Sequence, residues 1–411
     1  MTVSPSVRAR PSAPVAPDRP SGQRRTAIEP EPRAYIREFD GLRAIAVGLV
    51  FLNHYAPVAS VPALLLFRQI GWVGVDVFFV LSGFLITGIL LDAKAERYYR
   101  NFYIRRSLRI FPLYFATITV VLAWMLIAND GEDYTSLIGT WGSPLWLYAF
   151  LGNVKTAVSG VAPPFVFVPL WSLHVEEQFY LIFPFVVRRL RRETLFKTLV
   201  VLVIAAPVIR CLLWSYDRTN PWLQYMLLPS RMDGLALGAL IALRMRMGAW
   251  HVPKRALGAA GLLLLAASCA WFIAGGRIFS SPLERTLGYS LFSLAFAALV
   301  LWIVQFRGSW QTNWLNAAPL QFIGKISYGM YLLQVPTAIL FAKLTRSLNL
   351  PRTVDETALG ALSLYALCVV LASLSFYLFE RPILRLKDTL APTDGQRRPL
   401  ALFAGQRRRF T

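Results

Sequence analysis

The chain has few of the residues on which soluble domains and disulfide scaffolds depend. Charged residues make up only 16% of the 411 positions, whereas 56% are hydrophobic, so the composition excludes an ordinary soluble domain. The three cysteines, Cys211, Cys269 and Cys368, have no short spacing and support neither a disulfide framework nor a zinc site. We predict no metal site and no permanently bound cofactor.

Acidic residues are also scarce. The chain has 22 Asp and Glu against 43 Lys and Arg, which gives a net charge of +21. In a soluble chain this excess would suggest nucleic-acid binding. Here the basic residues cluster in short connections between apolar stretches, which is typical of membrane topology. We expect a lipid bilayer, and no nucleic acid, as a partner.

Ten apolar stretches predict an all-α, polytopic membrane bundle, because about 20 helical residues cross a hydrocarbon core. They cover approximately 41–57, 71–91, 109–128, 171–187, 196–214, 231–247, 256–275, 286–306, 320–342 and 358–379. Residues 1–39 hold seven prolines and seven arginines without an apolar run and are predicted to be a disordered cytoplasmic tail. Residues 40–385 form the predicted membrane domain, and 386–411 form a basic cytoplasmic tail.

The positions of the basic residues predict the orientation. With a cytoplasmic N-terminus, Lys and Arg in the connections divide 32 to 10 in favour of the cytoplasmic side. This bias predicts that both termini are cytoplasmic and that the protein lies in the cell's inner or plasma membrane. The long outer connection 129–170 contains an apolar piece too short to span, so we expect it to fold back as a re-entrant or interfacial element.

The first predicted span carries two ionisable residues on one face. Eleven residues at about 100° each bring His54 within about 20° of the direction of Arg43, about 16 Å further along the helix. A single buried histidine is more often a structural hydrogen-bonding group. The co-facial Arg43, near the cytoplasmic entrance, favours a functional role. Asp40 is predicted to cap the helix through the N–H groups of residues 42 and 43.

Further ionisable residues inside the predicted spans are Asp76, Glu176, Glu177 and Asp233, with His174 and Glu380 as additional candidates. Such groups are costly in hydrocarbon and usually face a polar cavity. Glu176 and Glu177 project about 100° apart on a helix, so both cannot face one cavity.

Several motifs in order give the chain a family resemblance. They are FDGLRAIAVGLVFLNHY (39–55), GVDVFFVLSGFLI (74–86), FYIRRSLRIFPLY (102–114), LWSLHVEEQFYLIFP (170–184), RMDGLALGALIA (231–242), ISYGMYLLQVP (326–336) and FYLFERPI (376–383). Together they resemble the acyltransferase 3 family of membrane acyltransferases. The resemblance implies about ten spans and transfer of an acyl group, usually acetyl, from cytoplasmic acyl-CoA to a hydroxyl of a carbohydrate or other acceptor.

The resemblance also implies active-site residues. It makes His54 and Arg43 essential, and His54 is suited to act as a general base toward an acceptor hydroxyl. It makes one glutamate functional, and we favour Glu176 over Glu177.

Three arginines at the cytoplasmic mouth of the third span have two interpretations. Arg105, Arg106 and Arg109 agree with positive-inside topology. Guanidinium groups also bind phosphates, which acyl-CoA carries. The resemblance favours a site for acyl-CoA as co-substrate.

Other motif residues are predicted to have supporting roles. Asp76 and Ser82 are expected to supply polar contacts, while Gly74 and Gly83 are expected to permit close helix packing. Arg231 and Asp233 either contact an acceptor sugar or form a local ion pair or helix cap.

One position departs from the family pattern. Many members have a histidine where this chain has Gln334, and glutamine can hydrogen-bond but cannot exchange a proton near neutral pH. No role of that histidine is therefore carried over.

The sequence thus predicts a membrane O-acyltransferase that acts on a carbohydrate, a lipid-linked sugar or a glycosylated small molecule. The alternative is a polytopic transporter or flippase of a glycan or lipid-linked substrate, because buried charges and many spans suit both classes.

Overall fold

The computed structural model describes residues 35–93, 96–248, 254–274, 282–349 and 357–392. Every regular element within these ranges is helical, so the all-α prediction is confirmed. The α-helices are α1 Glu38–Tyr55, α2 Leu65–Ile70, α3 Gly74–Leu91, α4 Tyr98–Ile127, α5 Glu132–Thr140, α6 Leu145–Tyr148, α7 Gly152–Ser159, α8 Trp171–Arg189, α9 Arg192–Tyr216, α10 Trp222–Met226, α11 Leu228–Met247, α12 Lys254–Ala274, α13 Tyr289–Gln305, α14 Trp310–Asn313, α15 Ala318–Ser347, α16 Ala358–Leu374 and α17 Arg381–Leu390.

Each of the ten predicted apolar stretches coincides with one long helix. Six helical segments in the described ranges are long and apolar enough to cross a membrane: Pro62–Leu91, Tyr98–Ile127, Arg192–Tyr216, Trp222–Met247, Glu284–Gln305 and Ala358–Leu390. Helices α1 and α8 are less apolar because they carry the ionisable residues that the sequence singles out. The number of ten spans and the cytoplasmic termini therefore stay predictions.

The predicted tails lie mostly outside the described residues. Residues 1–34 and 393–411 are not described, so disorder of the first tail stays a prediction. Helix α1 begins at Glu38, within the predicted tail 1–39, and Phe39 is buried. Helix α17 includes the first five residues of the predicted basic tail 386–411.

Helices α3 and α11 approach each other closely. A Cβ atom on Gly83 would overlap the carbonyl group of Leu235, and one on Gly238 would overlap the carbonyl group of Val80. Only glycine permits these two contacts, as expected for close helix packing in membranes. Helix α1 packs against α3 and against α15, so side chains on α1 project among the other helices.

The connection 129–170 folds into short helices that pack on α4, α8 and α10. His174 of α8 holds this connection in place. Its Nδ1 accepts the backbone N–H of Asn153 at 3.2 Å, and its Nε2 lies 2.6 Å from the hydroxyl of Tyr114. Tyr114 donates in turn to the carbonyl oxygen of Leu147 at 2.8 Å. These bonds give His174 a structural role, whereas the depth of the connection in a membrane stays a prediction.

Candidate functional site

The ionisable residues of the helices fall into two groups by exposure. Arg43, His54, Glu176, Glu177 and Arg106 are half-buried, and Arg109 is exposed. By contrast, Asp76, Arg231 and Asp233 are each 1% exposed, and Arg210 is 0% exposed. Of these candidates in the described chain, only the first group has side chains that the protein does not fully enclose.

The N-terminal end of α1 holds an ion pair. Arg43 Nη1 lies 2.6 Å from Asp40 Oδ1, three residues earlier on the same helix. The predicted cap by Asp40 is wrong: α1 begins two residues before Asp40 and has no side-chain cap. Asp40 is therefore already inside the first turn, where its carboxylate orients Arg43 instead.

Arg109 of α4 lies near this pair. Arg43, Arg106 and Asp40 are within electrostatic range of its guanidinium, although the Arg109 side chain is exposed. Guanidinium groups that approach one another repel, and an anion between them relieves the repulsion. Arg109 and Arg43 thus form an accessible cationic pair suited to a phosphate.

A polar chain connects α4, α8 and α3. The guanidinium carbon of Arg106 lies 3.8 Å from the ring centre of Tyr180. The Tyr180 hydroxyl donates to Ser82 Oγ at 2.9 Å, and Ser82 donates to Glu176 Oε1. Ser82, predicted to make polar contacts, thus fixes the carboxylate of Glu176.

Glu176 and Glu177 diverge as their spacing predicts. Glu176 bonds to Ser82 of α3, whereas Glu177 lies within electrostatic range of Arg106, Tyr114 and Tyr328. Within the described chain, Glu177 Oε1 is buried without a hydrogen-bond partner. Both carboxylates therefore lie near the charge of Arg106, but only Glu176 receives a hydrogen bond from another helix.

The three arginines of α4 do not form a single cluster. Arg105 Nε donates to the carbonyl oxygen of Ala391 at 2.8 Å, and its Nη2 lies 3.8 Å from Asp388. Arg105 thus faces α17 and the residue that follows it, Arg106 lies on Tyr180, and Arg109 faces α1. Arg105 and Arg106 are therefore engaged within the protein, whereas Arg109 stays exposed, and binding of acyl-CoA by all three stays a prediction.

The C-terminal end of α1 presents His54. Its Nδ1 lies 3.2 Å from Gln334 Oε1 of α15. The ring of Phe165 meets the imidazole edge to face, with 5.6 Å between ring centres, and Arg68 lies within electrostatic range. The residue that departs from the family pattern is therefore a direct neighbour of the candidate base.

Asp76, Arg231 and Asp233 belong to buried ion pairs. Arg231 Nη2 lies 2.5 Å from Asp76 Oδ1, with the ring centre of Tyr289 4.3 Å from its guanidinium carbon. Asp233 Oδ2 lies 3.0 Å from Arg210 Nη2. At 1% exposure, neither Arg231 nor Asp233 can reach an acceptor sugar, which favours the ion-pair alternative.

Sequence reasoning missed the role of Arg210. This residue interrupts the apolar run of α9, and that interruption was the available signal. Its guanidinium donates to the carbonyl oxygens of Thr286 and Ser230 and to the hydroxyl of Ser290, as well as to Asp233. Because every nitrogen of this side chain has a partner, Arg210 is a structural tie between α9, α11 and α13.

Comparisons with known proteins identify related sequences. The family model described as an acyltransferase domain matches residues 36–379. The chain is 28% identical over 366 residues to a Bacillus subtilis protein provisionally named peptidoglycan O-acetyltransferase YrhL, covering 85% of this chain and 55% of that protein. It is 27% identical over 373 residues to the peptidoglycan O-acetyltransferase OatA of Listeria monocytogenes, covering 85% and 56% respectively.

A third relative is similar in length. The chain is 27% identical over 393 residues to a Komagataeibacter xylinus protein provisionally named membrane-bound transacylase BcsY, covering 93% of this chain and 92% of that protein. The chain spans about half the length of the two peptidoglycan O-acetyltransferases. No solved structure matches it. The long apolar helices and these relatives together indicate a multi-pass membrane protein.

Proposed function

Because the chain belongs to the acyltransferase 3 family, we propose that it transfers an acyl group from acyl-CoA to a hydroxyl of a carbohydrate. The donor proposed is acetyl-CoA. The acceptor proposed is a glycan, a lipid-linked sugar or a glycosylated small molecule. The names of two relatives, which describe O-acetylation of peptidoglycan, support a carbohydrate acceptor.

The observation that carries this proposal is the arrangement of the accessible ionisable groups around α1. Arg43 lies near the N-terminal end of α1, with Arg109 of α4 within electrostatic range of it. His54 lies at the C-terminal end of the same helix. Ser82 and Glu176 lie on the two helices, α3 and α8, that pack against each other beside α1. This arrangement suits a donor whose phosphates bind at Arg43 and Arg109 and whose thioester extends toward His54.

The proposed site for the phosphates of acyl-CoA follows from the charge and exposure of the arginines. We assign the phosphates of acyl-CoA to Arg109, with Arg43 nearby, because the Arg109 guanidinium is exposed and has no ion pair or hydrogen bond within the described residues, whereas Arg43 is already paired with Asp40. Arg105 and Arg106 already have partners within the protein. We propose that Arg106 orders Tyr180 and Glu176. We place Glu176 beside the reaction site.

The reaction follows from the chemistry of a neutral imidazole. His54 takes the proton of the acceptor hydroxyl as its oxygen attacks the thioester carbonyl carbon. The carbon–sulfur bond then breaks, and the CoA thiolate takes the proton back from the imidazolium. The products are an ester and free CoA, and the step involves no change of oxidation state and no metal.

The proposed topology follows from the distribution of basic residues. We propose ten spans with both termini in the cytoplasm, in the inner or plasma membrane of the cell. Arg43 and Arg109 then lie toward the cytoplasm, where acyl-CoA is made. His54 lies toward the outer face, where a glycan acceptor is found.

The test is acyl transfer by the purified protein in lipid nanodiscs. The probe is acetyl-CoA labelled in the acetyl group, with a peptidoglycan disaccharide and cellobiose as acceptors, and the readouts are released thiol and labelled ester. We expect thiol release that depends on both protein and acceptor. In parallel, mass spectrometry of glycans and small metabolites from cells with and without the protein should find an acetyl ester that depends on it.

The transporter alternative predicts different results. Purified protein would release no thiol with any hydroxyl acceptor, cells would show no protein-dependent ester, and vesicles containing the protein would move a glycan across the bilayer. That combination would contradict the proposed function.

A further inference from the structure

Gln334 of α15 contacts the candidate base directly. Its side chain is 1% exposed, and its Oε1 lies 3.2 Å from Nδ1 of His54. A buried amide must find partners for both its oxygen and its nitrogen, because an unpaired polar group is costly away from water. The partners of Gln334 therefore reveal which way its amide points.

The amide nitrogen has its own partner. Gln334 Nε2 donates to the backbone carbonyl oxygen of Tyr331 at 3.1 Å. A carbonyl oxygen can only accept, so the NH₂ group must face Tyr331 and the amide oxygen must face His54. The opposite orientation would bring two oxygens, neither of which can donate a hydrogen bond, to 3.1 Å from each other.

This orientation determines the tautomer of His54. An amide oxygen can only accept a hydrogen bond, so Nδ1 of His54 must carry the proton. In a neutral imidazole one nitrogen is protonated and the other has a free lone pair. The lone pair of His54 is therefore on Nε2, on the side of the ring away from Gln334.

We propose that Gln334 is a positioning residue that holds His54 in the Nδ1-protonated tautomer, so that Nε2 is the atom that takes the proton of the acceptor hydroxyl. This inference rests on the proposed function of His54 as a base. It adds the identity of the basic atom and the residue that fixes it. It also gives Gln334 a role that does not require proton exchange.

The surroundings hold both residues in place. The hydroxyl of Tyr331 donates to the carbonyl oxygen of Pro169 at 2.8 Å and lies 2.7 Å from Ser172 Oγ. These bonds tie α15 to the start of α8 and to the 3₁₀ turn Phe165–Leu170, whose Phe165 ring packs on His54. The amide and the imidazole are thus both anchored to the same turn.

A neutral partner has a consequence for the proton. Glutamine cannot accept a proton near neutral pH, so no proton leaves His54 through Nδ1 to residue 334. The proton taken from the acceptor must leave again from Nε2. The departing CoA thiolate is the base that the reaction itself supplies at that place.

The test compares three variants in purified form. Gln334→Met keeps the length of the side chain but removes the acceptor, so His54 loses both its fixed tautomer and its fixed ring orientation. We expect kcat to fall by about tenfold or more while KM for acetyl-CoA stays the same, which is part of the ~10²–10⁴-fold that a general base contributes. Gln334→Glu restores an acceptor, so it should recover most of kcat near the upper end of the pH range.

Gln334→Glu also gives a readout that a structural role would not move. A carboxylate beside Nδ1 stabilises the charged imidazolium, so the acid limb of the pH profile for kcat/KM should move to higher pH. Gln321→Met is the matched control, since Gln321 lies on the same helix, is buried and donates to two backbone carbonyl oxygens. It should change thermal stability without changing the pH profile.

The outcomes separate this inference from the proposed function. A Gln334→Met protein that folds normally and keeps the parent kcat would overturn the positioning role. So would a Gln334→Glu protein whose pH profile matches the parent. If Gln334→Met fails to fold, the profile of Gln334→Glu decides alone. Loss of activity in Gln334→Met together with full activity in His54→Ala would instead contradict the proposed function of His54.

Discussion

Replacement of the α4 arginines one at a time should give three different kinetic results. Arg109→Ala removes an exposed charge that lies within electrostatic range of Arg43, and a lost charge-assisted hydrogen bond costs about 1.5–3 kcal/mol. Because Arg109 is exposed, solvent screening favours the lower end of this range. We expect KM for acetyl-CoA to rise by roughly tenfold with little change in kcat.

The other two arginines should behave differently because the structure engages them elsewhere. Arg105→Ala removes a hydrogen bond to the carbonyl oxygen of Ala391 and should leave KM for acetyl-CoA near the parent value. Arg106→Ala removes the cation from Tyr180 and from the neighbourhood of Glu176, so it should lower kcat instead.

The assay is the initial rate of thiol release in nanodiscs at increasing acetyl-CoA concentration. Arg100→Ala is the matched control, since Arg100 lies on the same helix and is exposed. Salt should raise KM in the parent and less in Arg109→Ala, because a phosphate contact is screened. Equal KM values for Arg109→Ala and Arg100→Ala would refute the donor site, and an equal rise in Arg105→Ala would refute the separation of the arginines.

Three further predictions concern the glutamates, the buried ion pairs and the topology. Glu176→Gln should lower kcat more than Glu177→Gln, because Ser82 fixes only Glu176; the reverse order would contradict this assignment. Asp233→Ala leaves Arg210 buried without its carboxylate and should cost about 3–5 kcal/mol of stability. In detergent, the thermal denaturation midpoint of Asp233→Ala should be clearly lower than that of Asp133→Ala, which replaces an exposed residue. Equal midpoints would refute the structural role. In a background with Cys211→Ser, an impermeant maleimide added outside intact cells should label Glu132→Cys but not Glu96→Cys or Arg191→Cys; the opposite pattern would overturn the orientation.

The sequence predicted the helices well because hydrophobic runs are local information. Each apolar stretch coincides with a helix, and the 100° spacing of Glu176 and Glu177 correctly predicted that they diverge. The pairing of charges was harder to predict, because it depends on contacts between helices distant in the chain. Arg210 and Asp233 illustrate this, since they lie on different helices and their ion pair appears only after α9 and α11 pack.

The candidate site shows the same division between local and distant information. Motif and periodicity identified Arg43 and His54, both on α1. The cap by Asp40 failed because the helix begins at Glu38, three residues earlier than its apolar run suggests. The contact between His54 and Gln334 joins residues 280 positions apart, so no spacing rule could find it. Gln334 could be noticed in the sequence only as a departure from a motif.

The most direct test of the account is acyl transfer by purified His54→Ala. We expect transfer from acetyl-CoA to fall by ~10²–10⁴-fold, the usual contribution of a general base. Thermal stability and acetyl-CoA binding should stay close to the parent, because the donor phosphates are assigned to the other end of α1. Transfer at the parent rate by folded His54→Ala would contradict the proposed mechanism.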